Sequence, residues 1–218
     1  MNRIFSLFVL FVSVVCFTGC ASRPPSAMQF MEAYKKCSSP QSKKVVNLSA
    51  SLVANFPAVT EWWSHVEGHE DDNIFLEEIP EDFSGQLTFS VSHFVSGFDI
   101  HVFDLSPFVG VAFEHFGAMA WFELGGLLET DTHGPGYGLQ IIEQFHVGEN
   151  FSWGMSQHVS HNVYFFRRGS LRTVDFMEVG GGAYILRRIG KHAVGLEGRY
   201  GRKVTDGMSH FALALSFM

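Results

Sequence analysis

His158 and Ser160 stand two residues apart, Asn162 follows two later, and Glu178 lies further along the chain. On an extended strand, side chains at i and i+2 share a face. A histidine beside a serine can take the hydroxyl proton, and a carboxylate behind the histidine can orient the ring. That combination is the chemistry of acyl transfer. The same residues also read as polar groups hydrogen-bonded to one another on the polar face of a sheet. In a chain with 11 His two-residue coincidences are common, and the non-catalytic reading is preferred.

Two other constellations could carry chemistry. In the run Trp62-Trp63-Ser64-His65-Val66-Glu67-Gly68-His69-Glu70-Asp71-Asp72, His65 and His69 would share one helix face among carboxylates. A Zn²⁺ or Ca²⁺ site there is conceivable. Gly68 opposes the helix, and the ligand order of neither a zinc protease nor an EF-hand is present. The run therefore reads as an acidic outer loop, with Trp62 and Trp63 in an interfacial girdle. Glu123, Glu197 and Arg199 fall on the polar face of their strands by parity. Charges enclosed in a barrel must pair, so a salt-bridge network plugging the interior is expected. Gly180-Gly181-Gly182 lacks the strand-turn-helix setting of a phosphate loop and marks a bend or a place where a bulky neighbour needs room. No motif calls for a cofactor.

Some 46% of the 218 residues are hydrophobic and 15% aromatic, with 23 Phe, while 17% are charged. Soluble domains carry about 25% charged residues, so part of this surface need not face water. A net charge of −7 gives no footprint for nucleic acid. Nine carboxylates and no Lys or Arg occupy residues 61–82, and nine Lys or Arg occupy 162–203; both are read as solvated loop systems. At the start, Met1-Asn2-Arg3 precedes an apolar run from Ile4 to Phe17, then Thr18-Gly19-Cys20. The run suits a signal-peptide core and is shorter than the ~20 residues a spanning helix needs. Residues 1–19 are read as the signal peptide. Thr18-Gly19-Cys20 resembles a bacterial lipobox, which implies lipidation at Cys20; Ala21-Ser22 after it implies the outer rather than the inner membrane. Cys37 is then an unpaired thiol, or, without lipidation, a disulfide partner for Cys20.

Residues 20–44 read as a tether between the breakers Arg23-Pro24-Pro25 and Ser38-Ser39-Pro40. Within it, Ser26 and Gln29 have capping-box spacing, so 27–36 is expected to form a short helix with Met28, Met31 and Tyr34 against some partner. From residue 45 onward the hydrophobic period is two. Val46, Leu48 and Leu52 alternate with Asn47, Ser49 and Ser51, Phe89 with Thr88 and Ser90, and Leu213 and Phe217 with Ala212, Ala214 and Ser216. The second face carries small uncharged residues, which suits a packed barrel interior better than a wetted sheet. No connection is long enough for a crossover helix except 57–82. The domain 45–218 is therefore all-β, an antiparallel up-and-down barrel of eight to ten strands. Ten strands thread near 45–56, 83–95, 98–104, 107–115, 117–128, 138–147, 151–165, 171–187, 192–202 and 209–218. Short turns then gather at one end and longer loops at the other.

This pattern resembles the small outer-membrane β-barrel superfamily, the OmpA-type and related barrels. Phe211 to Met218 is similar to the C-terminal strand signal that barrel-insertion machinery reads, with Phe217 next to last rather than last. The resemblance implies an outer-membrane location, with membrane lipid and the insertion machinery as partners. The run His158-Val159-Ser160 with Asn162 and Glu178 resembles the His-x-Ser-Asn plus Glu arrangement of outer-membrane lipid A deacylases, which implies His158 as base, Ser160 as nucleophile and Glu178 as orienter. It departs by inserting His161 before Asn162, and by standing four strands from the C-terminus where that family has it in the penultimate strand. Three readings remain: a structural or surface-binding barrel, which is preferred, an acyl hydrolase of lipid A or phospholipid, and a lipid-tethered lipocalin-like binder with an apolar interior.

Overall fold

A computed structural model describes residues 24–37, 44–56, 81–101, 105–124, 135–168, 170–204 and 209–218. Alternation of apolar and small polar residues folds the chain after residue 43 into ten strands. These are β1 (Lys44–Phe56), β2 (Glu81–Val91), β3 (Phe94–His101), β4 (Leu105–Ala112), β5 (Phe116–Phe122), β6 (Tyr137–Val147), β7 (Phe151–Arg168), β8 (Ser170–Ile189), β9 (His192–Lys203) and β10 (Ser209–Phe217). Each pairs antiparallel with its sequence neighbours, and β1 meets β10 along Ala50↔Phe217 to Phe56↔Phe211. The ring is closed and leaves no sheet edge.

Parity is as the alternation requires. Leu48 (72% exposed), Leu52, Phe89, Leu213 and Phe217 point outward, while Asn47, Ser49, Ser51, Thr88, Ser90 and Ser216 are buried inside. The exterior is apolar, whereas a lipocalin-like binder needs a polar one; the interior is polar apart from one apolar cluster.

Three breaks differ from the sequence reading. The one threaded at 105–106 lies within β4, where Ser106 pairs with Asp99. Ser96-Gly97 was expected to separate the second and third strands. Both residues lie within β3, and the reversal is at 92–93, where Ser92 takes φ 55. Gly97 is there for room rather than for turning: a Cβ on it would come 2.9 Å from Phe108 Cζ. Likewise the threading turns at residue 116, between 107–115 and 117–128, but the reversal is at 113–115, β5 begins at Phe116, and Gly117 faces inward against Met31. Glycine marks a turn or a close approach with the same letter, and here the second use applies.

The tether residues hold the main surprise. Helix α1 (Ala27–Cys37) forms as its capping residues indicate, but it lies inside the barrel. Ala27, Met28, Phe30, Met31 and Ala33 are fully buried, packed with Val95, Phe108, Ala112, Ile142, Leu186, Ala193 and Met218 of the wall. A ten-stranded barrel with many Ser and Gly on its inward face has space to fill, and an apolar helix face fills it.

Candidate functional site

The lumen has three storeys, described from the end where the short turns lie (the turn end) toward the end with the connections 57–80 and 123–136 (the loop end). At the turn end, the wall is cut back to seat α1. A Cβ on Gly195 would overlap Met28 Sδ, one on Gly110 would come 2.8 Å from Phe30 Cζ, and one on Gly117 2.7 Å from Met31 Sδ. Polar groups fasten the last turns of the helix. The Arg188 guanidinium grips Glu32, Nη2 to Oε2 2.7 Å and Nε to Oε2 3.0 Å, and its Nη1 donates to Ser152 Oγ at 3.0 Å. Lys36 Nζ donates to Asn47 Oδ1 at 2.7 Å, the Cys37 thiol donates to Ser90 O, and Tyr34 stacks on His93, which stacks on Phe113. Burial, and next the Arg188 guanidinium, hold the Lys35 ammonium below its usual range, with Glu32 pulling the other way. Burial lowers Lys36 as well, again opposed by Glu32.

At mid-height sits a belt around the helix N-terminus. Ser26 Oγ accepts from Gln29 N–H at 3.2 Å, the N-cap expected from the sequence. Gln29 does not complete a reciprocal box; its Nε2 donates instead to Ser51 Oγ at 2.7 Å, which is joined to Ser216 Oγ. Ser26 in turn donates to Glu197 Oε2 at 2.5 Å, and Ala27 N–H donates to Glu197 Oε1 at 3.2 Å. A carboxylate at this end complements the helix dipole. Arg199 Nη2 lies 3.2 Å from Glu197 Oε2, and Arg199 Nη1 donates to Pro24 O at 2.9 Å. Of the three charged residues assigned to the lumen, the structure pairs Glu197 with Arg199. Glu123 is buried elsewhere, at the end of β5, its carboxylate against Gly136.

Above the belt, toward the loop end, the lumen is polar. His158 Nε2 lies 3.0 Å from Glu178 Oε1, both buried. Gly180 leaves room for the imidazole, since a Cβ there would crowd His158 Nε2 at 2.7 Å. Ser160 is the cross-strand partner of Glu178, and Gln140 that of His158. Ser160 Oγ and both amide atoms of Asn162 are buried without a hydrogen-bond partner. The structure thus joins His158 to Glu178 and leaves the Ser160 hydroxyl unengaged. Among the described residues no three His, Cys, Asp or Glu cluster to hold a metal. Cys20, His65 and His69 lie outside the described residues.

The outward face forms a band. On β6 and β7, Tyr137 stacks on His161 near the loop end and Phe145 on Trp153 near the turn end. Each pair of rims is eight residues apart, roughly 27 Å along a strand and about 20 Å in height at a barrel's usual tilt. Between them Leu139, Ile141, Met155 and Val159 are exposed, interrupted by Glu143 and Gln157.

Glu32, Arg188 and the glycine seats were missed in the sequence. No local signal marked them: Gln29, Glu32, Lys35 and Lys36 gather on one side of α1, the pattern of a helix half-covered rather than enclosed.

No family model matches the chain, and no curated protein matches its sequence. Two solved structures are similar. The N-terminal β-barrel domain of Pseudomonas aeruginosa OprF is 10% identical over 80% of this chain and 96% of that one, with a TM-score of 0.35. Neisserial surface protein A is 10% identical over 81% and 96%, with a TM-score of 0.39. Likenesses of that size carry no inference about what this chain does.

Proposed function

We propose that the protein is an outer-membrane barrel of structural or surface-binding type, lipid-anchored through Cys20, whose lumen is sealed by its own helix. One observation carries the reading: a closed ten-strand ring with an apolar exterior and an interior filled by polar side chains and its own helix. Such a ring satisfies every ladder hydrogen bond without water, as a lipid environment demands. The aromatic rims bound an apolar band close to the ~25 Å that outer-membrane barrels show. The packed helix argues against conduction. β10 presents Phe211, Leu213, Leu215 and Phe217 outward, which supports recognition by insertion machinery. The test is recovery of the chain in outer-membrane fractions, resistant to urea extraction and migrating faster in unheated than in heated gels. Extraction by urea or recovery in the periplasm would overturn the reading. Palmitate incorporation that Cys20→Ala abolishes tests the anchor.

A second reading, an acyl hydrolase of envelope lipid, is supported by the His158–Glu178 contact alone. Against it, the group faces a closed lumen, and Ser160 Oγ is not hydrogen-bonded to the imidazole. A nucleophile and its base should lie within hydrogen-bond reach, though apo sites are often looser. Mass spectrometry of lipid A and phospholipids from cells carrying wild type or Ser160→Ala decides it. Loss of an acyl chain with the wild type alone would establish hydrolysis; identical profiles would retire it.

A further inference from the structure

We propose that the outer wall at β6–β8 is a contact surface between two copies of this chain within the membrane, centred on Gln157. The proposal rests on the outer-membrane reading above.

The apolar band is polar in one place. Gln157 points outward, four residues from Trp153 and four from His161, the rim residues of its strand. It stands midway between the rims. Glu143 points outward on β6, two residues from Phe145. Among the described residues, β1–β5, β9 and β10 carry Lys44, His192 and Arg202 at or next to strand ends, and no other charged or amide side chain faces out there. Hydrocarbon offers neither donor nor acceptor, so a long polar side chain on the lipid face costs stability unless protein meets it. Seven strands avoid that cost, while the adjacent pair β6 and β7 accept it.

The lean of the strands sets what lies level with Gln157. Followed from strand to strand, its cross-strand row leaves β1 at Lys44 and returns to β1 at Phe56, twelve residues (44 to 56) toward the loop end. With a strand spacing of about 4.8 Å and a rise of about 3.3 Å per residue, that is a lean of about 40°. Glu143 then lies directly below Gln157, about 8 Å toward the turn end. Gly181 pairs with Gln157 and Ala183 with Met155. The two lie level with Gln157, about 6 Å round the wall. Trp153 lies within about 2 Å of the height of Glu143, about 8 Å round the wall in the same direction.

Gly181 and Ala183 form a hollow. A Cβ on Gly181 would meet only Ser156 backbone within 4 Å, and Ala183 is exposed. Gly198, by contrast, is roofed by its own Phe211, 3.4 Å from such a Cβ. A two-fold axis parallel to the barrel, between Gln157 and this hollow, brings each Gln157 to the hollow of the other copy at one height. The two amides then flank the axis, each a donor and an acceptor for the other. The same rotation carries each Glu143 toward the Trp153 of the other copy, whose indole N–H is a donor. Both contacts obey one axis, as an isologous interface requires. Small residues that let backbones approach, with polar groups bonded across, are what holds proteins together in lipid.

The test is cross-linking in outer membranes, in the full chain with Cys37→Ser, which alone serves as the blank. Gln157→Cys and Ala183→Cys are coexpressed with different tags and treated with a short bismaleimide. Leu48→Cys, on the far side of the ring, is the control. The proposal expects a doubly tagged dimer from the Gln157 and Ala183 pair and none through Leu48→Cys. Sedimentation of the purified protein in detergent should show a dimer that Gln157→Leu weakens by about tenfold and Ala183→Trp abolishes, with heat-modifiable migration unchanged in both. Equal cross-linking through Leu48→Cys, cross-links only to other proteins, or a monomer in both assays overturns the proposal and leaves the barrel in the membrane. Extraction of the wild type by urea instead removes the outer-membrane reading, and this proposal with it.

Discussion

Arg188 and Glu32, 156 positions apart in sequence, form a forked ion pair that ties the end of β8 to the middle of α1. Both side chains are largely withdrawn from water, at 12% and 4% exposure. The attraction between such groups is offset by the cost of dehydrating them, so the pair itself adds little, whereas one partner alone is costly. Arg188→Ala is expected to destabilise the folded barrel by about 3 kcal/mol. Arg188→Met with Glu32→Met should recover most of that loss. The unfolding midpoint in denaturant measures both. A double variant as weak as Arg188→Ala would show that position, not charge, is what matters.

Ser26 has two tasks that pull apart under substitution. As an N-cap, Asp is as good as Ser. As a donor to Glu197, Asp is the worst choice, since it places a second carboxylate where a hydroxyl now sits at 2.5 Å. Ser26→Ala should cost about 1–2 kcal/mol, and Ser26→Asp more than Ser26→Ala. Equal stability of the Asp variant and wild type, by the same denaturant midpoint, would mean that capping alone holds this end.

The seats for α1 predict a position-specific response to one methyl group. Gly117→Ala pushes a Cβ onto Met31, and the expected loss is about 1–3 kcal/mol by overpacking. Gly85→Ala, whose Cβ would find only Ser49 O at 3.5 Å, should be neutral or mildly stabilising. Met31→Ala combined with Gly117→Ala should be less harmful than the separate losses added together. Strict additivity in thermal unfolding of the purified protein would argue that helix and wall do not meet there.

Leu213 and Ala214 are adjacent and opposite in fate, one outward and one at 1% exposure inside. Arg at Leu213 should hinder membrane assembly by about 2–4 kcal/mol, as at the bilayer midplane. Arg at Ala214 should fail by crowding the lumen beside Val53 and Ala212. Heat-modifiable migration scores assembly. A Leu213→Arg protein that folds and stays soluble would return the chain to the class of water-facing barrels.

The strands were legible because one physical demand, apolar outside and polar inside, imposes a period of two on every segment. Ser49, Ser51, Thr88 and Ser90 could be placed without coordinates. Glu197 and Arg199 were placed by the same parity, and their mutual distance follows from being i and i+2 on β9. Gly97 and Gly117 were misplaced because composition cannot separate a turn from a seat for a ring. Helix α1 was visible through Ser26, but its address was not: an apolar face of Met28, Phe30, Met31 and Tyr34 says that something covers it, not what. The Glu32–Arg188 link joins segments whose proximity depends on ring closure, which no local pattern encodes. His158 and Glu178 depended on the register of β7 with β8, and that register was not written in either strand alone.

The position of α1 ties the helix to the seam of the ring. The ring is sealed along β1 and β10. The helix precedes every strand in sequence, and it is fastened at mid-lumen by Glu197 and at the turn end by Arg188. Once the seam is shut, Phe30 and Met31 cannot be slipped past their glycine seats from outside without loosening the wall. Helix and ring are therefore interlocked: releasing α1 means parting the β1–β10 seam or distorting the wall at Gly110, Gly117 and Gly195.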